Sequence, residues 1–240
     1  SSDNIESQSS GSSATSSSDN IESVVGNTRN ITLDGRTIDP TTSEQQAVNI
    51  QVDNLTGDLK LDESLNMIME DMDGNSISSS SDDTVVWGHW ADNTDKKWVA
   101  GQTTPTSVLE NVQNSATVTN ASYKGNVIGS VNGNDAIKND ASNAVDINFQ
   151  LGGNKNTMDG NIKFDTQSGD SWNSNFEGTT SGSNFTTTNG GSVGGTGAGS
   201  EINSGSVDGS FYGDDAQAVG GTFDLKTDSD TASGVFKATK

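Results

Sequence analysis

His89, within the sequence Val86-Trp87-Gly88-His89-Trp90, is the single histidine of the chain. A lone histidine excludes metal sites that are built from several imidazoles. It leaves open axial ligation of a haem iron, which Tyr123, Tyr212 or a methionine would have to complete. A strand histidine between two tryptophans is better explained by packing. We therefore predict that the chain carries no cofactor and that His89 has a structural role.

Residues 67–75 carry side chains of the types that bind metals. Three methionines resemble a thioether site for Cu(I), and the acidic segment beside them resembles part of a calcium loop. These residues are Met67, Met69 and Met72, with Asp71, Asp73, Gly74 and Asn75. Closely spaced methionines are more often flexible core filler, and the acidic segment lacks the distal glutamate. We predict no metal site, although the sequence alone does not decide between these interpretations.

Three tryptophans, Trp87, Trp90 and Trp98, lie close together in a chain that is poor in aromatic residues. Such a cluster is a candidate binding patch. The adjacent segment of residues 99–105 is loop-like, so Gln102 joins the predicted ligand-binding set. The alternative is that two of the tryptophans fill the core and the mouth of a barrel.

The formal net charge of −21, from 12 Lys and Arg against 33 Asp and Glu, restricts the partners. Nucleic acids need clustered basic residues and are excluded, and anionic membranes are disfavoured. A basic protein patch, a cation or a neutral ligand remains. The chain has no cysteine, so it has no disulfide framework, and no apolar run reaches the ~20 residues of a membrane helix.

The elements that position these residues are strands. Val145, Ile147, Phe149 and Leu151 alternate with polar residues, and so do Met158, Gly160, Ile162 and Phe164 after a glycine-containing loop. Together they predict a hairpin. Counting from Val85–Trp90 to a last strand at the C-terminus, we predict an all-β fold with an eight-stranded antiparallel glycine-rich barrel at residues 83–240. Residues 190–205 are mostly Gly, Ser and Thr, and we expect them to form a loop.

The N-terminal third differs from the rest. Residues 1–25 are Ser-rich, and the heptapeptide SSDNIES occurs at 1–7 and again at 17–23. We predict a disordered tail there, because such a composition cannot offset the entropy of ordering. Residues 26–82 predict a small β segment, or handle, with residues 48–52 and 59–61 paired as a hairpin. The given sequence starts at Ser1 without a signal peptide, so we expect a mature, processed chain. A Ser-rich tether there also fits a bacterial lipoprotein whose acylated cysteine is not part of the given sequence.

The C-terminal residues suggest a family. Gly209-Ser210-Phe211-Tyr212-Gly213, Gly220-Gly221-Thr222-Phe223 and Gly234-Val235-Phe236-Lys237-Ala238 resemble the closing hairpins of transferrin-binding protein B-like barrels. Val86–Trp90 is similar to the opening strand of that barrel, and Tyr123-Lys124-Gly125 to the next strand. Members of this group bind host proteins, polyanions or haem at the surface of Gram-negative bacteria, and they are not enzymes.

This resemblance implies a non-enzymatic binding protein that is extracellular or at the Gram-negative cell surface. Its loops or handle would hold a host protein or a haem-like ligand. The alternative from the sequence is a structural subunit of an extracellular fibre, which would polymerise when an N-terminal strand inserts into a neighbouring copy. The sequence leaves open the identity of the ligand, the choice between monomer and polymer, and the role of the repeated heptapeptide.

Overall fold

A computed structural model describes residues 31–33, 36–38, 47–52, 59–61, 67–77, 84–90 and 93–240. The predicted disordered tail, with its repeated heptapeptide, lies outside the described residues. In the described part, no helix is long and apolar enough to cross a membrane.

The described residues form nineteen strands and one helix. The strands are β1 Ile31–Leu33, β2 Arg36–Ile38, β3 Ala47–Val52, β4 Leu59–Leu61, β5 Met67–Glu70, β6 Ser76–Ile77, β7 Val85–Trp90, β8 Asn93–Gln102, β9 Thr119–Val131, β10 Asp135–Ala136, β11 Ala144–Leu151, β12 Thr157–Asp165, β13 Ser171–Ser181, β14 Asn184–Thr186, β15 Ser192–Gly197, β16 Ser200–Glu201, β17 Ser204–Tyr212, β18 Ala218–Lys226 and β19 Thr231–Thr239. The helix α1, Thr106–Gln113, lies between β8 and β9.

Eight strands close into a barrel in the order β9-β19-β18-β17-β14-β13-β12-β11, and β11 returns to β9. Every pairing around this ring is antiparallel. The predicted all-β, eight-stranded antiparallel barrel is therefore confirmed. Two further sheets have the strand orders β2-β1-β4 and β3-β8-β7-β5-β6.

The alternation in the sequence produces the barrel because only one face of each strand needs to be apolar. The predicted hairpin is present as β11 and β12, with Val145 opposite Ile162 and Phe149 opposite Met158. Their inward side chains join the apolar core, and Val145 and Ile162 are fully buried.

Glycine permits a close approach between two of the barrel strands. A side chain at Gly125 on β9 would place its Cβ 1.9 Å from the carbonyl oxygen of Lys237 on β19. No real Cβ tolerates that distance, so the glycine is required for β19 to close the barrel against β9.

Four predicted assignments are wrong. Residues 99–105 are not all loop, because Asn93–Gln102 forms β8. Val85–Trp90 is not a barrel strand: β7 pairs with β5 and β8 in the five-stranded sheet, and the barrel begins at β9. The predicted hairpin of residues 48–52 and 59–61 does not form, because β3 pairs in parallel with β8 and β4 pairs with β1. Residues 190–205 are not a simple loop, since β15 extends the sheet along β13.

Candidate functional site

The five-stranded sheet packs on the outside of the barrel. An apolar cluster joins the two, and its fully or largely buried members are Val85, Trp87 and Val99 from the sheet with Ile128, Tyr212, Ala218 and Val235 from the barrel. We call the outer face of β9, β17, β18 and β19 that carries these barrel residues the covered wall. The outer face of β11, β12, β13 and β15 is the open wall.

Trp87 lies at the centre of this junction with only 1% of its surface exposed. The Nζ atom of Lys237, on the covered wall, stands 4.7 Å from the centroid of the Trp87 ring. This is a cation–π contact, and it is stronger where water is excluded. The indole Nε1 of Trp87 is buried without a hydrogen-bond partner in the described part of the chain. Apolar packing and the contact with the Lys237 ammonium group therefore hold Trp87 in place, without a hydrogen bond to its indole nitrogen.

Trp98 is buried on the opposite face of the same sheet. It follows Lys97 and precedes Val99, so it points away from the barrel by strand alternation. Its Nε1 donates a hydrogen bond of 3.0 Å to the carbonyl oxygen of His89. A Cβ at Gly88 would lie 2.3 Å from the Trp98 ring, so the glycine makes room for the indole.

The four residues predicted to bind ligand do not share one face. Trp87 and Trp98 lie on opposite faces of the sheet and are buried. Trp90 ends β7 and Gln102 ends β8. Since β7 and β8 are antiparallel, those two positions lie at opposite ends of the hairpin.

A buried charged cluster spans three strands of the sheet next to Trp87. Glu70 on β5 forms a hydrogen bond with the Nδ1 atom of His89 on β7. The Nζ atom of Lys97 on β8 lies 3.3 Å from Glu70 Oε1 and 3.4 Å from Oε2. Glu70 is 4% exposed and His89 is 8% exposed.

Strand register explains this cluster. Ile68 pairs with His89, and His89 pairs with Lys97, so Glu70 lies one strand away from His89 on the same face. Both carboxylate oxygens of Glu70 lie within hydrogen-bond distance of Lys97 Nζ, and Oε2 also forms the hydrogen bond with His89 Nδ1. The arrangement resembles a structural ion pair that ties three strands together. Sequence reasoning missed it because Glu70 and Lys97 become neighbours only through the sheet order.

The predicted partners for a haem iron are also engaged. Tyr123 lies inside the barrel and donates a hydrogen bond of 2.7 Å to the carbonyl oxygen of Ala216. Tyr212 lies outside it, in the junction with the sheet. Burial raises the pKa of both phenols well above the ordinary value of 10.0, which keeps them neutral. The two tyrosines are both buried and lie on opposite faces of the barrel wall, Tyr123 in the core and Tyr212 in the junction.

The acidic segment beside the methionines forms a turn. Asp71 Oδ1 accepts hydrogen bonds of 2.9 Å from the backbone N–H groups of Asp73 and Asn75. These bonds, with that from Asn75 first, lower the pKa of the Asp71 carboxyl. Among the described residues no group of His, Cys, Asp or Glu side chains could hold a metal ion.

The helix α1 closes one end of the barrel. Leu109 contributes to the core, and the Gln113 side chain forms two hydrogen bonds with the backbone of Gly182, one from Nε2 at 2.8 Å and one to Oε1 at 2.9 Å. The segment from β8 to β9 is thus tied to the turn between β13 and β14.

The geometry defines a class of protein: a closed eight-stranded antiparallel barrel that carries a second sheet on its outer wall. Residues 115–240 match the family described as the C-lobe and N-lobe β-barrels of Tf-binding protein B. The match spans more than half of the 240 residues. The chain belongs to this family, as the resemblance of its closing hairpins predicted.

One solved structure agrees in fold at a TM-score of 0.50, and a second is similar to part of the chain. A mutant of the vaccine antigen transferrin binding protein B from Haemophilus parasuis Hp5 is 18% identical, with a TM-score of 0.50 over 89% of this chain and 41% of that chain. The isotype 1 transferrin binding protein B from serogroup B Neisseria meningitidis is 18% identical, with a TM-score of 0.47 over 72% of this chain and 36% of that chain. The chain thus spans about two fifths of the length of these proteins. No curated protein matches it.

Proposed function

We propose that this chain is a non-enzymatic binding module that holds a host protein at the surface of a Gram-negative cell or in the surrounding medium. The observation that carries the proposal is the match of residues 115–240 to the barrels of a protein named for binding transferrin. A transferrin-type glycoprotein is therefore the first partner to test.

The junction between sheet and barrel supports a rigid platform for such a partner. Trp87 and Trp98 are buried, so they act through packing in this proposal. Contact with the partner falls to Trp90 and Gln102, which lie at the two ends of the β7–β8 hairpin. Loops and strand ends on a rigid scaffold are where binding residues concentrate.

A protein partner is favoured over haem. His89 is held by Glu70, and the Tyr123 hydroxyl is engaged inside the barrel. A haem would have to break these buried contacts before it could reach a ligand, and each lost contact of a buried polar group is costly.

Surface plasmon resonance with the immobilised full chain tests the proposal, with purified human, bovine and porcine transferrin and lactoferrin as analytes. We expect saturable binding to at least one of them. The double variant Trp90→Ala with Gln102→Ala should weaken it at least tenfold. The matched control, Gln150→Ala with Gln167→Ala at two exposed positions away from the junction, should leave it unchanged.

Absence of binding to every one of these proteins would overturn the proposal. Size-exclusion chromatography with light scattering separates it from the alternative, a fibre subunit that polymerises by N-terminal strand donation. A monomer that binds supports the module, whereas polymers that lose their length on deletion of residues 1–25 would favour the fibre.

A further inference from the structure

A groove of about 510 Å³ lies on the open wall of the barrel, where β12, β13 and β15 run side by side. Its volume falls within the range of small-ligand sites, roughly 300–1,000 Å³. Its rim consists of Asp159, Asn175, Glu177 and Ser192, and all four side chains are exposed. The five-stranded sheet packs on the covered wall, so the groove is independent of the junction described above.

Strand register places the rim residues in rows. Asp159 lies opposite Glu177, and Glu177 lies opposite Ser192. In the next row Asn175 lies opposite Gly194. Gly194 lines the groove and has no side chain at this outward position, and a Cβ there would meet no atom within 4 Å. A larger side chain at position 194 would therefore occupy the groove without a clash at its Cβ.

Cross-strand hydrogen bonds hold the polar side chains beside the groove. Asn161 Nδ2 donates to Asn175 Oδ1 at 3.0 Å and to Asn173 Oδ1 at 2.7 Å. Asn148 Nδ2 donates to Asp159 Oδ2 at 3.3 Å. These bonds fix the amides before any ligand arrives, which lowers the entropy cost of binding. They also leave the Asn175 amide nitrogen directed to no acceptor among the described residues.

We propose that this groove binds a neutral, hydroxyl-rich ligand, a carbohydrate of one or two rings. A sugar hydroxyl both donates and accepts hydrogen bonds, and the rim offers both partners: carboxylates that accept, an amide that donates and a serine hydroxyl that does either. A metal ion is not favoured, because the rim carboxylates do not form a group that could hold one within the described residues.

Without an aromatic platform in the rim, the affinity should be low. We expect a Kd of about 1 mM, which corresponds to about −4.1 kcal/mol. Such weak sites serve multivalent or surface-tethered contacts, where the effective local concentration raises the occupancy.

The test is a titration of the isotopically labelled full chain with lactose and with N,N′-diacetylchitobiose, followed by heteronuclear NMR. We expect saturable shifts of residues around Gly194 with at least one of the two sugars. Gly194→Leu fills the groove with no predicted clash and should weaken binding at least tenfold at an unchanged Tm. Thr196→Leu is the matched control, because it is the next outward position of the same strand and lies outside the groove.

A second arm distinguishes a sugar from a basic side chain. Nα-acetyl-lysine amide, which keeps its side-chain ammonium, is titrated in parallel. Glu177→Gln is compared with the unaltered chain. A glutamine amide still hydrogen-bonds a hydroxyl, so sugar binding should change less than about threefold, whereas attraction of a cation requires the charge. Absence of shifts with both sugars, equal effects of Gly194→Leu and Thr196→Leu, or binding of Nα-acetyl-lysine amide alone would each overturn the proposal.

Discussion

The covered and the open walls of the barrel are built from the same kind of strand, yet their outward residues differ in kind. On the covered wall the outward positions of β9, β18 and β19 include Ile128, Ala218 and Val235, which pack beneath the five-stranded sheet. On the open wall the corresponding positions of β12 and β13 hold Asn161 and Asn173, which hydrogen-bond to each other. The inward residues of both walls contribute to one apolar core. The inward pattern therefore specifies the barrel, and the outward pattern specifies where a second layer can dock.

The largest expected loss of stability is at Phe223, and comparison with its neighbour Asp224 tests whether inward and outward positions alternate along β18. Phe223 on β18 is 1% exposed, and its neighbour Asp224 faces outward. Phe223→Asp should unfold the barrel, because an unpaired buried charge costs several kcal/mol, comparable to the whole stability of many domains. Asp224→Lys should change Tm little. Circular dichroism melts of both variants measure this, and equal Tm values would show that the register is shifted by one residue.

The next prediction compares the loss of stability from one substitution at the covered wall with that from one substitution on the open wall. Trp87→Ala removes the indole from the junction and should cost about 3–5 kcal/mol of the free energy that holds the sheet on the barrel. Asn173→Ala on the open wall removes one exposed hydrogen bond and should cost less than about 1 kcal/mol. Hydrogen exchange of the β7 and β8 amides in both variants measures the difference. Equal protection would mean that the sheet does not depend on the junction.

A third comparison concerns ion pairs. Glu70→Ala leaves Lys97 and His89 without their buried carboxylate, and loss of one partner of a buried pair costs about 3–5 kcal/mol. Lys124 and Asp146 form an exposed pair at 3.7 Å, so Asp146→Ala should cost at most about 1 kcal/mol. Urea denaturation of the two variants checks this order. A larger loss for Asp146→Ala would contradict it.

The smallest expected change in Tm is at Asp208, on a strand at the edge of the covered wall. Asp208 on β17 is half-buried. Burial raises the pKa of its carboxyl above the ordinary value of 3.8, and the hydrogen bond from the Thr186 hydroxyl partly offsets this rise. Because the pKa of Asp208 is higher in the folded state than in the unfolded state, its ionisation destabilises the folded state once the pH exceeds the pKa of the unfolded state. Asp208→Asn should therefore raise Tm slightly at pH 7, and the difference should shrink as the pH falls below about 3.8. A Tm difference that grows towards low pH would contradict this reasoning.

Much of the barrel could be predicted from the sequence, and the reason is local. Val145, Ile147 and Phe149 alternate with polar residues, and a hairpin needs only that alternation and a turn. The five-stranded sheet could not be predicted in the same way. Its strand β3 pairs in parallel with β8, so its partner is about fifty residues away and no turn links the two.

The candidate sites show the same limit. The groove depends on Gly194 lying beside Asn175, and β15 was expected to be a loop because glycine and serine disfavour strands. The long strand β13 overrides that preference, since its residues Trp172–Glu177 offer an edge that β15 completes. The cluster of Glu70, His89 and Lys97 likewise needs three strands to be in register before its charges meet.

The pairing of β19 with β9 has a consequence for the order in which the barrel forms. About one hundred residues separate the two strands along the chain, and contacts of such long sequence separation slow folding. Until β19 has been synthesised, β9 and β18 each present an unpaired edge, and such edges invite association with other chains. An export system that keeps the chain unfolded until translation is complete would remove that hazard, because both edges would then meet their common partner in a single closing step.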